Sequence, residues 1–180
     1  MMETTRQELA QQIYRTSNIH GHFTLRSGIT SNEYFDKYLF EGDPRLLRAI
    51  AEVMRPLIPE GVDALAGLEL GGVPIATVLS QLTGLPTLFV RKQAKTYGTC
   101  KLAEGGEIAG RTLVIVEDVV TSGGQIIESA RELRELGADI PRVVCVIDRE
   151  QGGAENLQAE GLEFFPLLTM SEIKAAVDAR

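Results

Sequence analysis

The stretch Leu113-Val114-Ile115-Val116-Glu117-Asp118-Val119-Val120-Thr121-Ser122-Gly123-Gly124-Gln125 carries both the fold and the chemistry of this chain. Its first four residues are continuously apolar, as a strand covered by helices on both faces would be. Two adjacent carboxylates, Glu117 and Asp118, stand at the C-terminal end of that strand, before a Thr-Ser-Gly-Gly turn and a helix start. Glycines let a backbone approach a ligand closely, and the free N–H groups of a turn and a helix start favour a phosphate. Two carboxylates beside such a nest would repel a bare anion, but they suit a ligand that also carries hydroxyls or a divalent cation. The combination points to a ribose 5-phosphate held by its phosphate and its ring hydroxyls. A plainer alternative, in which the carboxylates cap the turn and the glycines merely permit it, accounts poorly for the ordered run. No G-x-x-x-x-G-K-[ST] occurs, so the turn is not a Walker A loop.

Outward from this stretch, strand-like and helical runs alternate. The strand-like runs are Ala64–Leu70, Thr87–Val90, Thr112–Val116, Arg142–Ile147 and Leu162–Leu167; helical runs lie at Val73–Leu82, Gly124–Leu136 and Ala154–Glu160. Such alternation predicts an α/β fold, a doubly wound and mainly parallel sheet flanked by helices. Upstream, residues 3–16 read as a helix with Leu9, Ile13 and Tyr14 as its apolar stripe. Residues 22–40 read as two short extended segments around a Ser-Gly turn. Asp43-Pro44 then opens a helix, with Asp as N-cap and Pro at the first helical position. Its stripe is Leu46, Leu47, Ile50, Val53, Met54 and Leu57. The last helix has a capping-box start, Thr169 with Glu172 three positions on. Residues 92–111 carry four glycines and four basic residues without a clear period. A connection of that length in a compact domain is a functional lid or a disordered segment.

Composition bounds the remainder. A length of 180 residues predicts a single domain, 1–180, which can bury roughly 70% of its unfolded surface without a disulfide or structural metal. Its N-terminal part is residues 1–42, and an α/β core with a mobile loop at about 92–110 occupies 43–180. With 18 Lys and Arg against 25 Asp and Glu, the net charge of −7 disfavours a nucleic-acid groove, which works by phosphate neutralisation. Cys100 and Cys145 form no framework, which predicts a reduced, cytoplasmic setting. The polar N-terminus is unlike a signal peptide, and no apolar run approaches the ~20 residues that span a bilayer. His20 and His22 lack a third ligand nearby, so a zinc site there is disfavoured. Nothing beside Cys100 in sequence marks it as a nucleophile.

The run Val114–Gln125 resembles the phosphoribosyl-pyrophosphate (PRPP) signature of type I phosphoribosyltransferases, and three further segments resemble orotate phosphoribosyltransferase. Phe23-Thr24-Leu25-Arg26-Ser27-Gly28, with Ser31 and Tyr34-Phe35-Asp36, is similar to the family's small N-terminal hood over the base, where Arg26 replaces a frequent Lys. Phe89-Val90-Arg91-Lys92-Gln93-Ala94-Lys95-Thr96-Tyr97-Gly98 is similar to its catalytic loop, with Tyr97 where many members carry His. Val146-Ile147-Asp148-Arg149, with Gly152-Gly153, resembles its base-recognition loop. Read from the residues alone, Phe23, Tyr34 and Phe35 could equally be core aromatics, and Arg149 could pair with Asp148 or Glu150. Glu69-Leu70-Gly71-Gly72-Val73-Pro74 resembles the pyrophosphate loop; some relatives place a Lys near Gly71, and this chain has none.

The resemblance implies transfer of the 5-phosphoribosyl group from PRPP to orotate, giving orotidine 5′-monophosphate and pyrophosphate, a step of pyrimidine (UMP) biosynthesis. It implies Lys95, Arg91 and Asp118 as catalytic residues. PRPP would be bound by Arg91, Lys92, Lys95, Gly71, Gly72, Glu117, Asp118, Val119, Val120, Thr121, Ser122, Gly123, Gly124 and Gln125. Orotate would be bound by Arg149, Thr121, Arg26, Tyr34 and Phe35. Guanidinium grips carboxylate through two parallel hydrogen bonds, which suits Arg149 to orotate. Mg²⁺ is implied as carried by the pyrophosphate, with no direct protein ligand. The implied assembly is a homodimer with shared sites, bound to neither nucleic acid nor membrane. Two alternatives differ in chemistry: a phosphoribosyltransferase for a purine base, and a PRPP-binding regulator without catalysis.

Overall fold

The computed structural model describes residues 5–24, 28–93 and 101–178. Arg26, Lys95, Tyr97 and Cys100 lie outside the described residues. Eight strands and seven α-helices are described, beginning with α1 (Arg6–Ser17), a hairpin of β1 (Asn18–Thr24) and β2 (Thr30–Phe35), α2 (Lys37–Gly42) and α3 (Pro44–Met54). Then follow β3 (Ala64–Leu68), α4 (Gly72–Thr83), β4 (Thr87–Val90), β5 (Ala103–Glu104), β6 (Thr112–Val120) and α5 (Gly124–Glu135). The chain continues through β7 (Asp139–Asp148), α6 (Gly153–Ala159), β8 (Glu163–Thr169) and α7 (Met170–Asp178).

The main sheet has the order β5-β4-β3-β6-β7-β8, parallel throughout except for the antiparallel edge strand β5. From β3 the chain steps to β4 on one side, and from β6 it steps outward to β7 and β8 on the other. The winding therefore reverses between β3 and β6, and the carboxyl ends of these two strands define the crevice where such sheets bind ligands. Both faces of the sheet are covered. On β6, Val114 and Val116 face the cluster built with α1, α3 and α4, while Leu113 and Ile115 face the cluster built with α5 and α6. All four are fully buried, as an uninterrupted apolar strand requires.

Several elements differ in extent from the sequence reading. The strand expected at Thr112–Val116 runs on to Val120, because β7 keeps pairing with it through Val119↔Ile147 and Val120↔Asp148. Glu117 and Asp118 thus lie inside a strand, where successive side chains point to opposite faces. The extended reading of residues 22–40 holds only to Phe35. Asp36 then N-caps α2, accepting the Tyr38 N–H at 3.1 Å, and Phe40 on that helix is fully buried. Part of the 92–111 connection is ordered, since Ala103–Glu104 pair with Phe89 and Val90 of β4. The Asp43 cap and the Thr169–Glu172 capping box are both formed.

The crevice depends on two glycines at the start of α4. A Cβ added to Gly72 would stand 2.2 Å from the Val116 carbonyl oxygen, and one added to Gly71 would stand 1.7 Å from Asp118 Oδ2. The first neighbour is backbone and the second a buried carboxylate, so the loop or Asp118 must shift if either position gains a side chain. Gly72→Ala is expected to lose about 1–3 kcal/mol of stability, the usual cost of overpacking, as read by denaturant unfolding with an unchanged slope.

Candidate active site

Four strand ends meet at the carboxyl edge of the sheet. From β3 comes the loop Glu69–Gly72, joined to the end of β4 where the Glu69 N–H donates to the Val90 carbonyl at 2.8 Å. Glu69 Oε1 accepts the Lys92 N–H at 2.6 Å, which ties this loop to the start of the basic segment. Arg91 follows β4; its N–H donates to the Leu102 carbonyl, and its buried Nε has no hydrogen-bond partner among the described residues. The end of β6 leads into the turn Thr121–Gly124. Thr121, Ser122, Gly124 and Gln125 are exposed there, and Gly123 has φ 77° at the cap of α5. No side chain caps α5, so the N–H groups of its first turn remain available to an anion.

Arg149 begins the loop after β7, fixed by its N–H to the Val120 carbonyl at 2.8 Å. That bond places it beside the phosphate-type turn. The alternative partners of Arg149 are otherwise engaged: Asp148 Oδ1 accepts the Glu150 N–H at 2.8 Å, and Glu150 Oε2 accepts the Ser171 N–H at 2.8 Å. Among the described residues the Arg149 guanidinium makes no ion pair. Close packing holds this loop against the turn, because a Cβ on Gly153 would stand 2.5 Å from the Thr121 carbonyl oxygen. Asn156 Nδ2 also donates to the Ser122 carbonyl at 2.9 Å. Of the hood aromatics, Tyr34 is exposed and stacks on Phe23 at 5.5 Å, whereas Phe35 packs against the main core.

The acidic pair is divided. Glu117 is partly exposed and accepts the Asp118 N–H at 2.9 Å, while the Asp118 side chain is only 1% exposed. Asp118 Oδ1 accepts the Val119 N–H at 2.5 Å, and Oδ2 faces the Lys37 ammonium at 2.5 Å. Glu41, one turn after Lys37 on α2, is buried as a neighbour of Asp118, and its Oε1 has no hydrogen-bond partner among the described residues. Neither Lys37 nor Glu41 was apparent in the sequence. A six-residue helix is too short to show a period; the available signal was their i,i+4 spacing directly after the Asp36 cap.

Three carboxyl groups around one ammonium cannot all ionise at this depth. Burial, then a hydrogen bond and repulsion from Asp118, push Glu41 up to about 9. Burial and the Asp118 charge likewise raise Glu117 well above the carboxylate range. Burial also opposes ionisation of Asp118, but the neighbouring Glu117, Glu41 and Lys37 side chains, with the Lys37 charge, outweigh it and hold its pKa below normal. Asp118 is therefore the ionised member, and its two neighbours hold protons toward it. Between its ordinary 4.5 and about 9, Glu41 keeps a proton in the folded chain that the unfolded chain releases, so its contribution to stability falls as pH rises. Glu41→Gln keeps the shape and a donor but titrates nothing. Its melting temperature is expected to gain on the parent as pH rises through that window; parallel curves would show that Glu41 holds no proton in the fold.

Comparison with known proteins agrees with this geometry. The phosphoribosyl transferase domain family matches residues 42–159. An orotate phosphoribosyltransferase of a Nocardioides species is 54% identical over 171 residues, covering 95% of this chain and 96% of that one. The crystal structure of Mycobacterium tuberculosis orotate phosphoribosyltransferase with inorganic phosphate superposes with a TM-score of 0.83 at 31% identity, over 94% of this chain and 98% of that one. The same enzyme in complex with PRPP gives a TM-score of 0.81 at 30% identity, over 94% and 98% of the two chains. The strand-turn-helix cradle, the reversal of winding beside it and relatedness along nearly the whole chain lead to one conclusion: this chain belongs to the orotate phosphoribosyltransferase family of type I phosphoribosyltransferases.

Proposed function

We propose that the chain catalyses transfer of the 5-phosphoribosyl group from PRPP to orotate, releasing pyrophosphate and forming orotidine 5′-monophosphate, a cytoplasmic step of UMP biosynthesis. The observation that carries this reading is Arg149. Its guanidinium is unpaired among the described residues and its backbone is tethered beside the phosphate-type turn, which suits a group awaiting a carboxylate. Orotate differs from uracil by that carboxylate, and purine bases lack it. The regulator reading is disfavoured by the retention of Arg91 and Lys92 after β4 at the same edge, where they can set positive charge against a departing pyrophosphate.

In this mechanism the N–H groups and hydroxyls of Thr121–Gln125 hold the 5′-phosphate. Glu117, the more exposed acid, meets the ribose hydroxyls, and the ionised Asp118 faces the positive charge that develops on the ring as pyrophosphate departs. Arg91, Lys92 and Lys95 set positive charge against the leaving group, with backbone N–H groups of Gly71 and Gly72. Arg26, Tyr34 and Phe35 cover the base, and Arg149 orients it through its carboxylate. The donor set fits Mg²⁺ carried in on PRPP, because the Asp118 carboxylate is already engaged by Lys37 and the Val119 N–H. Such an ion supplies neutralisation of pyrophosphate charge. Exclusion of water from the filled site would protect the ribosyl cation from hydrolysis.

Turnover measured with orotate, uracil, xanthine and hypoxanthine tests the base, and product should form with orotate alone. Arg149→Ala should lower orotate kcat/KM by the roughly 2–5 kcal/mol lost with a desolvated charge partner, while PRPP binding holds. Unchanged orotate kinetics would remove Arg149 from the site.

The assembly in this reading is a two-fold dimer in which the basic loop serves the neighbouring site, so Lys95 acts in trans. Lys95→Ala and Asp118→Asn chains, each inactive, are to be unfolded and refolded together. Half the dimers would then be mixed, each with one intact site, and about a quarter of all sites should regain activity. No recovery from a verified mixed dimer would overturn the shared site and leave the reaction standing.

A further inference from the structure

The loop that opens α4, Glu69-Leu70-Gly71-Gly72-Val73-Pro74, contains an acid and no cation. A pyrophosphate arriving at its backbone N–H groups would meet Glu69 without a compensating side chain from the same loop. Yet a cation stands beside it. Lys37 Nζ lies 2.5 Å from Asp118 Oδ2, the same oxygen that would lie 1.7 Å from a Cβ on Gly71. The ammonium is therefore delivered to the face of Gly71 by α2, an element more than thirty residues earlier in the chain.

Two features separate this ammonium from an inert counter-ion. The Lys37 side chain is 34% exposed, although its partner is sealed at 1%. The contact also lies outside hydrogen-bond geometry, so Asp118 Oδ2 has no directional donor from Lys37. Asp118 can meanwhile be held without it. The Val119 N–H binds Oδ1, and Glu41 and Glu117, both raised in pKa, neighbour the carboxylate. If the ammonium turns toward solvent, the buried acid keeps the Val119 N–H bond and has Glu41 and Glu117 beside it, and a flexible four-carbon stem makes the turn inexpensive.

We propose that Lys37 is a substrate-binding residue that brings to the Gly71–Gly72 loop the cation its own sequence lacks, resting on Asp118 when the site is free and turning to the pyrophosphate group of PRPP when it is filled. Glu41 is then a positioning residue that keeps Asp118 in place while Lys37 is engaged elsewhere. The inference rests on PRPP as the ligand of this site. It accounts for the placement of a lysine and a proton-bearing glutamate together on one short helix.

The test is calorimetric titration of PRPP, pyrophosphate and ribose 5-phosphate into the parent chain and Lys37→Met, all with Mg²⁺. Loss of one charge-assisted contact should weaken PRPP and pyrophosphate about tenfold to a hundredfold, and leave ribose 5-phosphate within about twofold. Lys37→Arg should restore most of the pyrophosphate affinity. Equal weakening of all three ligands would overturn the proposal, because a lysine that merely holds Asp118 acts through the ribose side. Unchanged pyrophosphate affinity would overturn it as well. Should Lys37→Met fail to fold with Asp118 unpaired, Lys37→Met with Asp118→Asn removes both charges, and the ratio of pyrophosphate to ribose 5-phosphate affinity relative to Asp118→Asn alone decides. A parent chain that binds PRPP but does not turn over orotate would overturn the reaction and leave this binding result intact; one that binds neither PRPP nor pyrophosphate would overturn both.

Discussion

The approach of the β3–α4 loop to the end of β6 is the contact on which the rest of this molecule depends. Gly71 and Gly72 allow the backbone to sit where any side chain would collide with Asp118 or with the Val116 carbonyl. Because β3 and β6 are parallel neighbours, that contact also joins the two halves of the winding. It brings the β3–α4 loop and the carboxylate-bearing end of β6 to the same crevice. A sheet with the same strand order but a bulkier residue at either glycine would hold these groups too far apart to act together.

Electrostatics sharpen the same point. The chain is acidic overall, and its most buried acid sits where a polyanion is to bind. The fold answers by neutralising Asp118 locally, with one ammonium and two proton-bearing carboxyl groups, so the crevice does not present three negative charges. Arg149 avoids both of its acidic sequence neighbours, because those carboxylates accept backbone N–H groups instead.

Much of this was legible in the residues themselves. Continuous apolar runs such as Val143–Ile147 read as strands buried on both faces, and their alternation with helices predicted a parallel sheet. The Glu-Asp-Val-Val-Thr-Ser-Gly-Gly order pointed to a sugar phosphate because each residue type suits a separate part of such a ligand. Where the reading fell short, the cause was local. Thr112–Val116 continued to Val120 because pairing with β7 overrides the polar character of Glu117 and Asp118. Helix α2 escaped notice because six residues show no period, and its stability comes from the Asp36 cap and from Phe40 buried in the core.

By itself, then, the sequence determined the α/β class, the phosphate turn and the chemical kind of ligand, since these depend on periodicity and on residue types adjacent along the chain. Only the tertiary structure decided which acid of the pair is sealed and which is open, because that follows from the strand pleat and from what packs on each face. It alone brought Lys37 and Glu41 to Asp118, across some eighty residues of chain. It alone left Arg149 free of Asp148 and Glu150. Adjacency in sequence sets what a segment can do; the state of charge of a buried group is set by neighbours the chain delivers from elsewhere.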